Sequence, residues 1–282
     1  MTHDDDTILV LGGTGKTGRP LVRTLREAGR RVRAASRGGG TRFDWFDRST
    51  WAPALEGAAA VYLVAPGDPE PVPDFVQQAE QAGVRRFVVL SGRGIDQLPT
   101  TIFRGMAAAE RAVRASGARW TILRPNNFDQ NFDDPAIWGP QIRAGRLALP
   151  TGSVPDPFID TEDVAEVAAA LLTSDGHADS HHGESYDLSG PRPVAFGEAV
   201  EILARAAGRP VDFVELTPAE YRAELRGADL PEEFVHELDT LFEGLRTGLH
   251  TKPGDGVQRV LGREPRDFES YAARTAAAGA WS

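Results

Sequence analysis

Residues 8–18 read ILVLGGTGKTG. An apolar run ends at Gly12-Gly13, and glycine recurs at Gly15 and Gly18 before a helical apolar pattern over residues 19–29. This order of strand, glycine turn and helix suits a pyrophosphate. The first glycine permits the tight turn, the second lets phosphate approach the backbone, and the third lets helix and strand pack closely. The helix N-terminus then faces the negative charge. Thr14, Lys16 and Thr17 lie inside the loop and offer backbone N–H groups, hydroxyls and one ammonium to phosphate oxygens. A nucleoside-triphosphate P-loop is excluded by spacing, because its first glycine would fall at Val10.

Two further positions carry chemistry. Ser36-Arg37 follows the second strand candidate. An acidic residue there would bond the ribose 2′-hydroxyl of NAD, whereas an arginine offers the planar fork that suits a 2′-phosphate. NADP(H) is therefore expected over NAD(H), with Arg42 as a second contributor. Ser91 ends another strand candidate, at the level where a carbonyl would receive hydride. No G-x-S-x-G surrounds it, so it is not a triad nucleophile; it either touches substrate or caps a turn. The usual acid of such reductases, Tyr-x-x-x-Lys, is missing. The only lysines are Lys16 and Lys252, and none of Tyr62, Tyr186, Tyr221 and Tyr271 stands four before one. A reductase built on this chain protonates its product in another way.

These groups act together only if a scaffold brings them to one edge. Strand patterns at 8–11, 32–35, 59–64, 86–90 and 120–123 alternate with helix patterns at 19–29, 49–55, 73–82 and 101–116. Such alternation predicts a parallel sheet with helices on both faces, with ligands at the carboxyl ends of its strands. The loops that matter follow Leu11, Ala35, Val64, Leu90 and Leu123. Ala65 and Pro66 would pass the ribose and nicotinamide through main-chain atoms, or form an ordinary turn. Residues 126–157 are rich in Pro, Gly, Asn and aromatics. Residues 158–163 look like a short strand feeding a helix over 164–173, with Thr161 as its N-cap. A strand at 186–188 and a helix at 196–207 follow, and residues 210–262 read as helical and acidic. The expected fold is α/β: a doubly wound parallel Rossmann sheet with a small, mostly helical C-terminal substrate lobe. Residues 1–150 would form the NAD(P)-binding core. Residues 151–282 would form the lobe, interleaved with the last core strands and helices.

Composition removes several function classes. The formal charge of −10 leaves no basic stripe for phosphates, so no nucleic-acid partner is expected. There are no cysteines, hence no disulfide, thiolate nucleophile or cysteine zinc site. Of six histidines, His181-His182 sit in a polar loop and His3, His177, His236 and His250 are scattered, so no metal is expected. No run approaches the ~20 apolar residues of a membrane span. The start, MTHDDD, is acidic rather than signal-like, and the expected location is cytoplasmic. Asp160 and Asp163 look like a carboxylate pair, though Asp163 also fits simple helix-dipole complementarity.

Several segments together resemble the NmrA-like family of atypical short-chain dehydrogenases/reductases. They are GGTGKTGRPLVRTLREAG at 12–29, GVRRFVVLSG at 83–92 and AERAVRASGARWTILRPNNFDQNF at 109–132, then FIDTEDVAEVAA at 158–169, YDLSGP at 186–191 and RVLGREPRDFESYAA at 259–273. The resemblance implies a Rossmann fold binding NADP or NAD, in a family divided between reductases and redox-sensing regulators. FDWFDRSTW at 43–51 is similar to the branch with reductases of secondary metabolism. The resemblance sets Asp44 and Trp45 near the adenine ring, although Trp45 could equally be core. It sets Pro125, Asn126, Asn127 and Phe128 around the nicotinamide, where Asn127 could hold a water that supplies a proton. Asp129, Gln130 and Asn131 add polar groups nearby, or simply stabilise the loop. It also implies Ser91 as a hydrogen-bond partner of the substrate oxygen. Where many family reductases keep lysine and tyrosine, this chain has Met106 and Ile102.

Phe128, Phe132, Ile137 and Trp138 would line a flat, apolar substrate site or form a core. The expected activity is NADPH-dependent reduction of a ketone, enone or quinone-like carbon in a hydrophobic, polycyclic secondary metabolite. Ser91 and Asn127 would be its catalytic groups and the protein a monomer or homodimer. The alternative is an NADP(H)-binding redox sensor without turnover.

Overall fold

Alternating apolar runs and amphipathic helices assemble into a seven-stranded, all-parallel sheet. The computed structural model describes residues 6–97, 99, 101–174, 180–228 and 231–281; His3 and His177 lie outside them. The chain opens with β1 (Thr7–Leu11), α1 (Gly18–Glu27), β2 (Val32–Ser36), β3 (Thr41–Arg42) and α2 (Trp51–Leu55). It continues with β4 (Ala58–Val64), α3 (Pro71–Gln81), β5 (Arg86–Leu90), α4 (Arg104–Ala115) and β6 (Arg119–Pro125). Next come α5 (Gly139–Arg143), β7 (Arg146–Leu149), α6 (Thr161–Thr173) and β8 (Ser185–Leu188). The sheet order is β3-β2-β1-β4-β5-β6-β8. The order reverses beside β1, the switch point at which such sheets take nucleotides.

Register fixes what sits at the ligand edge. Val64 pairs with Leu90, and Leu90 with Leu123. The segments leaving Leu11, Ser36, Val64, Leu90 and Pro125 therefore emerge on one side of the sheet. The central strands are apolar on both faces, as burial by helices on either side requires. Leu9, Val61, Phe87, Val89 and Ile122 are fully buried in that core.

The remaining elements are α7 (Phe196–Ala207), β9 (Asp212–Glu215), α8 (Pro218–Gly227), α9 (Glu232–Arg246), α10 (Gly256–Leu261) and α11 (Phe268–Ala277). Two compact units result. The first contains the described residues up to Pro125, with Thr161–Leu188 and Asp255–Glu264; the second contains Asn126–Asp160, Ser189–Gly254 and the described residues from Pro265. This differs from the division expected at residue 150. The chain changes unit directly after β6, then returns twice, because β8 completes the parallel sheet and α10 packs on α6 and β8.

The second unit has its own core. Phe132, Phe158, Phe196 and Phe268 are buried and pack edge to face, with Phe132 and Phe158 at 5.2 Å and Phe158 and Phe196 at 4.9 Å. The Trp281 indole donates to the Phe132 carbonyl at 3.0 Å. The unit is not wholly helical, since β7 and β9 pair in parallel from Arg146↔Asp212 to Leu149↔Glu215. Of the short strand expected within 158–163, a single parallel bridge between Phe128 and Ile159 forms. Thr161, expected as an N-cap, is the first residue of α6.

Candidate functional site

The glycine turn has the shape its spacing requires. A Cβ on Gly18 would lie 2.2 Å from the Gly12 carbonyl oxygen, so α1 can begin over that carbonyl only without a side chain. Thr17 precedes α1 without a side-chain cap, and the first turn holds no acid. In the first turn the Arg19 N–H already donates to the Gly15 carbonyl at 3.0 Å and Pro20 has none, so a pyrophosphate would meet the amides at the start of the turn rather than a full set of helix donors. Thr14 and Gly15 are exposed, Lys16 is half-buried, and Thr17 is buried. Arg19 donates to the Thr14 carbonyl at 3.0 Å and braces the turn. This cradle fits a dinucleotide phosphate.

Beyond β2, Arg37 is exposed and Ser36 is half-buried, its Oγ enclosed beneath the turn at Gly39. Arg42 pairs with Asp47 at 3.3 Å, so its charge is already shared. One Asp44 oxygen accepts the Phe46 N–H at 3.0 Å. Trp45 donates from its indole to the Val64 carbonyl at 3.2 Å and packs edge-on against Phe75 at 4.9 Å. Trp45 thus packs on the core and ties this loop to the end of β4.

Ala65 and Pro66 leave β4 half-buried. A Cβ on Gly105 would stand 1.6 Å from the Pro66 oxygen, so α4 starts against this backbone. Phe103, just before α4, takes the left-handed φ of 53°. The sequence signal for this contact was a glycine near a helix start, which by itself reads as a weak helix former.

Ser91 is buried and donates from Oγ to Glu110 Oε1 at 2.7 Å. Glu110 also accepts from Arg124, at 3.0 Å from Nε and 2.8 Å from an η nitrogen, and Arg124 reaches Asp96 at 3.3 Å. Burial alone would raise the Glu110 pKa, but hydrogen bonds from Arg124 and Ser91 outweigh it and hold the carboxyl below its ordinary value. The Ser91 proton is therefore committed to an ionised carboxylate. Its lone pairs can accept, but as an oxyanion donor it would have to leave Glu110. Residue-type reasoning missed this network. Its signal was a glutamate on the apolar side of α4 and an arginine inside the strand TILRP.

The residues after β6 belong to the second unit. Asn126 and Asn127 both donate from Nδ2 to Asp156, Asn126 at 2.7 Å. Asn126 also donates to the His250 carbonyl at 3.2 Å. Asn126 and Asp156 are buried, whereas Asn127 and Phe128 are half-buried. Because the nitrogen of Asn127 faces a carboxylate, its oxygen is turned away as an acceptor. Asp156 and His250 were not singled out in the sequence, and only their position in the fold joins them to Asn127.

Gln130 donates to Asp160 at 2.7 Å, and Arg274 pairs with the same carboxylate. Asp163 pairs with Arg263 at 2.6 Å. Both aspartates are fully buried and each is held by its own arginine. Phe132 is wholly buried in the aromatic core and Trp138 packs on it at 4.9 Å, while Ile137 is exposed. Phe132 is thus core rather than substrate lining. Among the described residues, no group of three or more His, Asp or Glu side chains is placed to hold a metal ion. None of the described helices is long and apolar enough to cross a membrane.

A model of the family described as NAD(P)H-binding matches residues 12–175. The chain is 34% identical to the uncharacterized oxidoreductase YesF of Bacillus subtilis (strain 168), over 96% of this chain and 95% of the relative. It is 35% identical to (4-alkanoyl-5-oxo-2,5-dihydrofuran-3-yl)methyl phosphate reductase of Streptomyces griseus, over 96% of this chain and 98% of that protein. Its fold matches that of NmrA, a negative transcriptional regulator solved with NAD, at a TM-score of 0.76 and 16% identity, covering 98% of this chain and 97% of NmrA.

Proposed function

We propose that this chain, which belongs to the NAD(P)H-binding family and is an NAD(P)H-dependent oxidoreductase, prefers NADPH and reduces a carbonyl or conjugated C=C/C=O group of a hydrophobic, polycyclic metabolite. The observation that carries the cofactor reading is the phosphate cradle of Gly12–Gly18 with an exposed arginine directly after β2. When bound, NADPH supplies the hydride. The chain's own residues bind, orient and handle the proton.

The α1 N-terminus and the loop amides would hold the pyrophosphate, with Gly12, Thr14, Gly15, Lys16, Thr17 and Gly18 in that role. Arg37, beside Ser36, would clamp the 2′-phosphate, since a guanidinium fork matches two phosphate oxygens. Asp44, Trp45, Ala65 and Pro66 would border the adenosine and ribose. Pro125, Asn127 and Phe128 would border the nicotinamide. The Asn127 oxygen, aimed by Asp156, suits an amide N–H or a water. Ser91 would act as an acceptor or as a support for its strand end, because its proton goes to Glu110.

The Ser91–Glu110 bond and the absent Tyr-Lys pair favour a second reading, a nucleotide sensor that binds without turnover. NADPH oxidation against polycyclic ketones and quinones separates the two. Substrate-dependent loss of nicotinamide absorbance supports the reductase. Tight NADPH binding with no oxidation across the panel supports the sensor.

A further inference from the structure

Two buried residues bring hydroxyls beneath the nucleotide turn. The first is Tyr62, which lies in β4, paired with Val10 of β1 and Val88 of β5. Side chains alternate along a strand, so Tyr62 shares a face with Val64. The Val64 Cβ stands 3.8 Å from where a Cβ on Gly12 would lie, so that face carries the glycine turn. Tyr62 is wholly buried, and among the described residues its hydroxyl has no hydrogen-bond partner. Burial raises its pKa far above the ordinary value, so the phenol stays neutral and can donate. A buried hydroxyl left unbonded costs stability, and phenylalanine would fill the same space without that cost.

The second is Thr17, the residue before α1, which is also buried. A threonine in this position ordinarily accepts the N–H of the second or third helical residue. Neither is open to it. The Arg19 N–H donates to the Gly15 carbonyl at 3.0 Å, and the third residue is Pro20, which has no N–H. Thr17 accordingly makes no side-chain cap bond, and its backbone is helical, with φ −96° and ψ −31°, where a capping residue is typically extended. Its hydroxyl lies beside Tyr62 instead, close enough to oppose the effect of burial on the phenol but short of a formed bond. An unbonded phenol thus neighbours a residue of the loop whose amides would meet the pyrophosphate.

We propose that Tyr62 is a positioning residue for the nucleotide: its hydroxyl donates to the Thr17 side-chain oxygen when a pyrophosphate engages the turn, and the bond fixes the Thr17 amide toward the phosphate. The proposal rests on the reading of this turn as a dinucleotide site. The hydroxyl then costs the free protein and contributes to the bound one, and a ligand draws its affinity from that difference. This accounts for a tyrosine where the fold alone would favour phenylalanine.

The test measures NADPH affinity by fluorescence titration, and Tm without nucleotide, in wild type, Tyr62→Phe, Thr17→Val and the double variant. Tyr62→Phe should weaken NADPH binding about five- to tenfold, the size of one neutral hydrogen bond, while the Tm of the free protein holds or rises. Thr17→Val should weaken it similarly and the double variant no further, since each removes the same bond. For a second readout the four tyrosines are replaced by 3-fluorotyrosine. The Tyr62 fluorine resonance, assigned by its loss in Tyr62→Phe, should shift when NADP+ binds wild type and shift less in Thr17→Val. NADPH affinity within twofold of wild type in Tyr62→Phe overturns the proposal and leaves the dinucleotide site intact. So do additive losses in the double variant, and so does an unshifted Tyr62 resonance at saturating NADP+. A Tm lowered by several degrees in nucleotide-free Tyr62→Phe also overturns it, since the hydroxyl would then serve the fold. Failure of the wild type to bind NADPH overturns the dinucleotide reading itself, and the proposal with it.

Discussion

The Ser91 hydroxyl donates to Glu110 at 2.7 Å, in a site where Arg124 holds the same carboxylate through two nitrogens. A serine at the end of a central strand thus serves a buried ion pair first. Ser91→Ala removes a charge-assisted bond but leaves Glu110 its arginine. Expected is a stability loss of about 1–3 kcal/mol by urea denaturation, with kcat changed less than about threefold. A collapse of kcat with unchanged stability would return Ser91 to the catalytic groups.

Glu110 also sets an acid limb. Its folded pKa lies below the ordinary value because bonds from Arg124 and Ser91 overcome burial. The unfolded carboxyl titrates near pH ~4.3. Its stabilising contribution is therefore complete above that pH and is lost as pH falls through the folded value. Glu110→Gln should flatten this part of the stability profile and cost about 3 kcal/mol at pH 7, since Arg124 loses its buried partner. An unchanged acid limb in the variant would remove Glu110 as its source.

Gly105 faces the Pro66 oxygen so closely that a Cβ would stand 1.6 Å away. Gly105→Ala must push α4 from the end of β4. A Tm drop of several degrees, from about 1–3 kcal/mol of overpacking strain, should accompany weaker NADPH binding. An unaltered Tm would show that this contact relaxes freely.

The polarity of Asn127 is open to a swap. Asn127→Asp sets two carboxylates against each other and should lower both stability and nucleotide affinity. Adding Asp156→Asn restores a bond of reversed direction. Stability should recover in the double variant. Turnover should not, because residue 127 would then present a charge. Recovery of both would reduce the pair to packing.

The sheet was largely legible in the chain because its signals are local. Arg86–Leu90 and Phe196–Ala207 emerge with the boundaries their patterns predict. The alternation that ordered β1, β2, β4, β5 and β6 needed no distant information. The helix expected from Thr101 begins at Arg104, since Phe103 takes a left-handed φ that no short-range pattern announces. The β7–β9 pair stayed hidden because RLAL and DFVE are four-residue runs that pair across more than sixty positions of chain. The unit boundary fell at Pro125 rather than residue 150 for a related reason: later segments return to finish the sheet and its flanking helices.

The candidate site was legible only in part. The glycine turn and Arg37 carry their chemistry in residue type and local order. Asn127 without Asp156, and Ser91 without Glu110, are only polar residues at strand ends. Their partners stand 29 and 19 positions away, so only the folded chain shows which atoms remain for a ligand. Phe132 is the reverse case: residue type left both a ligand surface and a core open, and the fold places it at the centre of a core.

The most direct test of the central claim compares NADPH and NADH oxidation, followed at 340 nm with polycyclic ketones and quinones, in wild type and Arg37→Ala. The account predicts substrate-dependent oxidation by wild type, with kcat/KM for NADPH falling about 10- to 100-fold in the variant as a charge-assisted phosphate clamp is lost. The value for NADH should stay within about twofold. Binding of NADPH without oxidation across the panel, or equal losses for both nucleotides in Arg37→Ala, would contradict it.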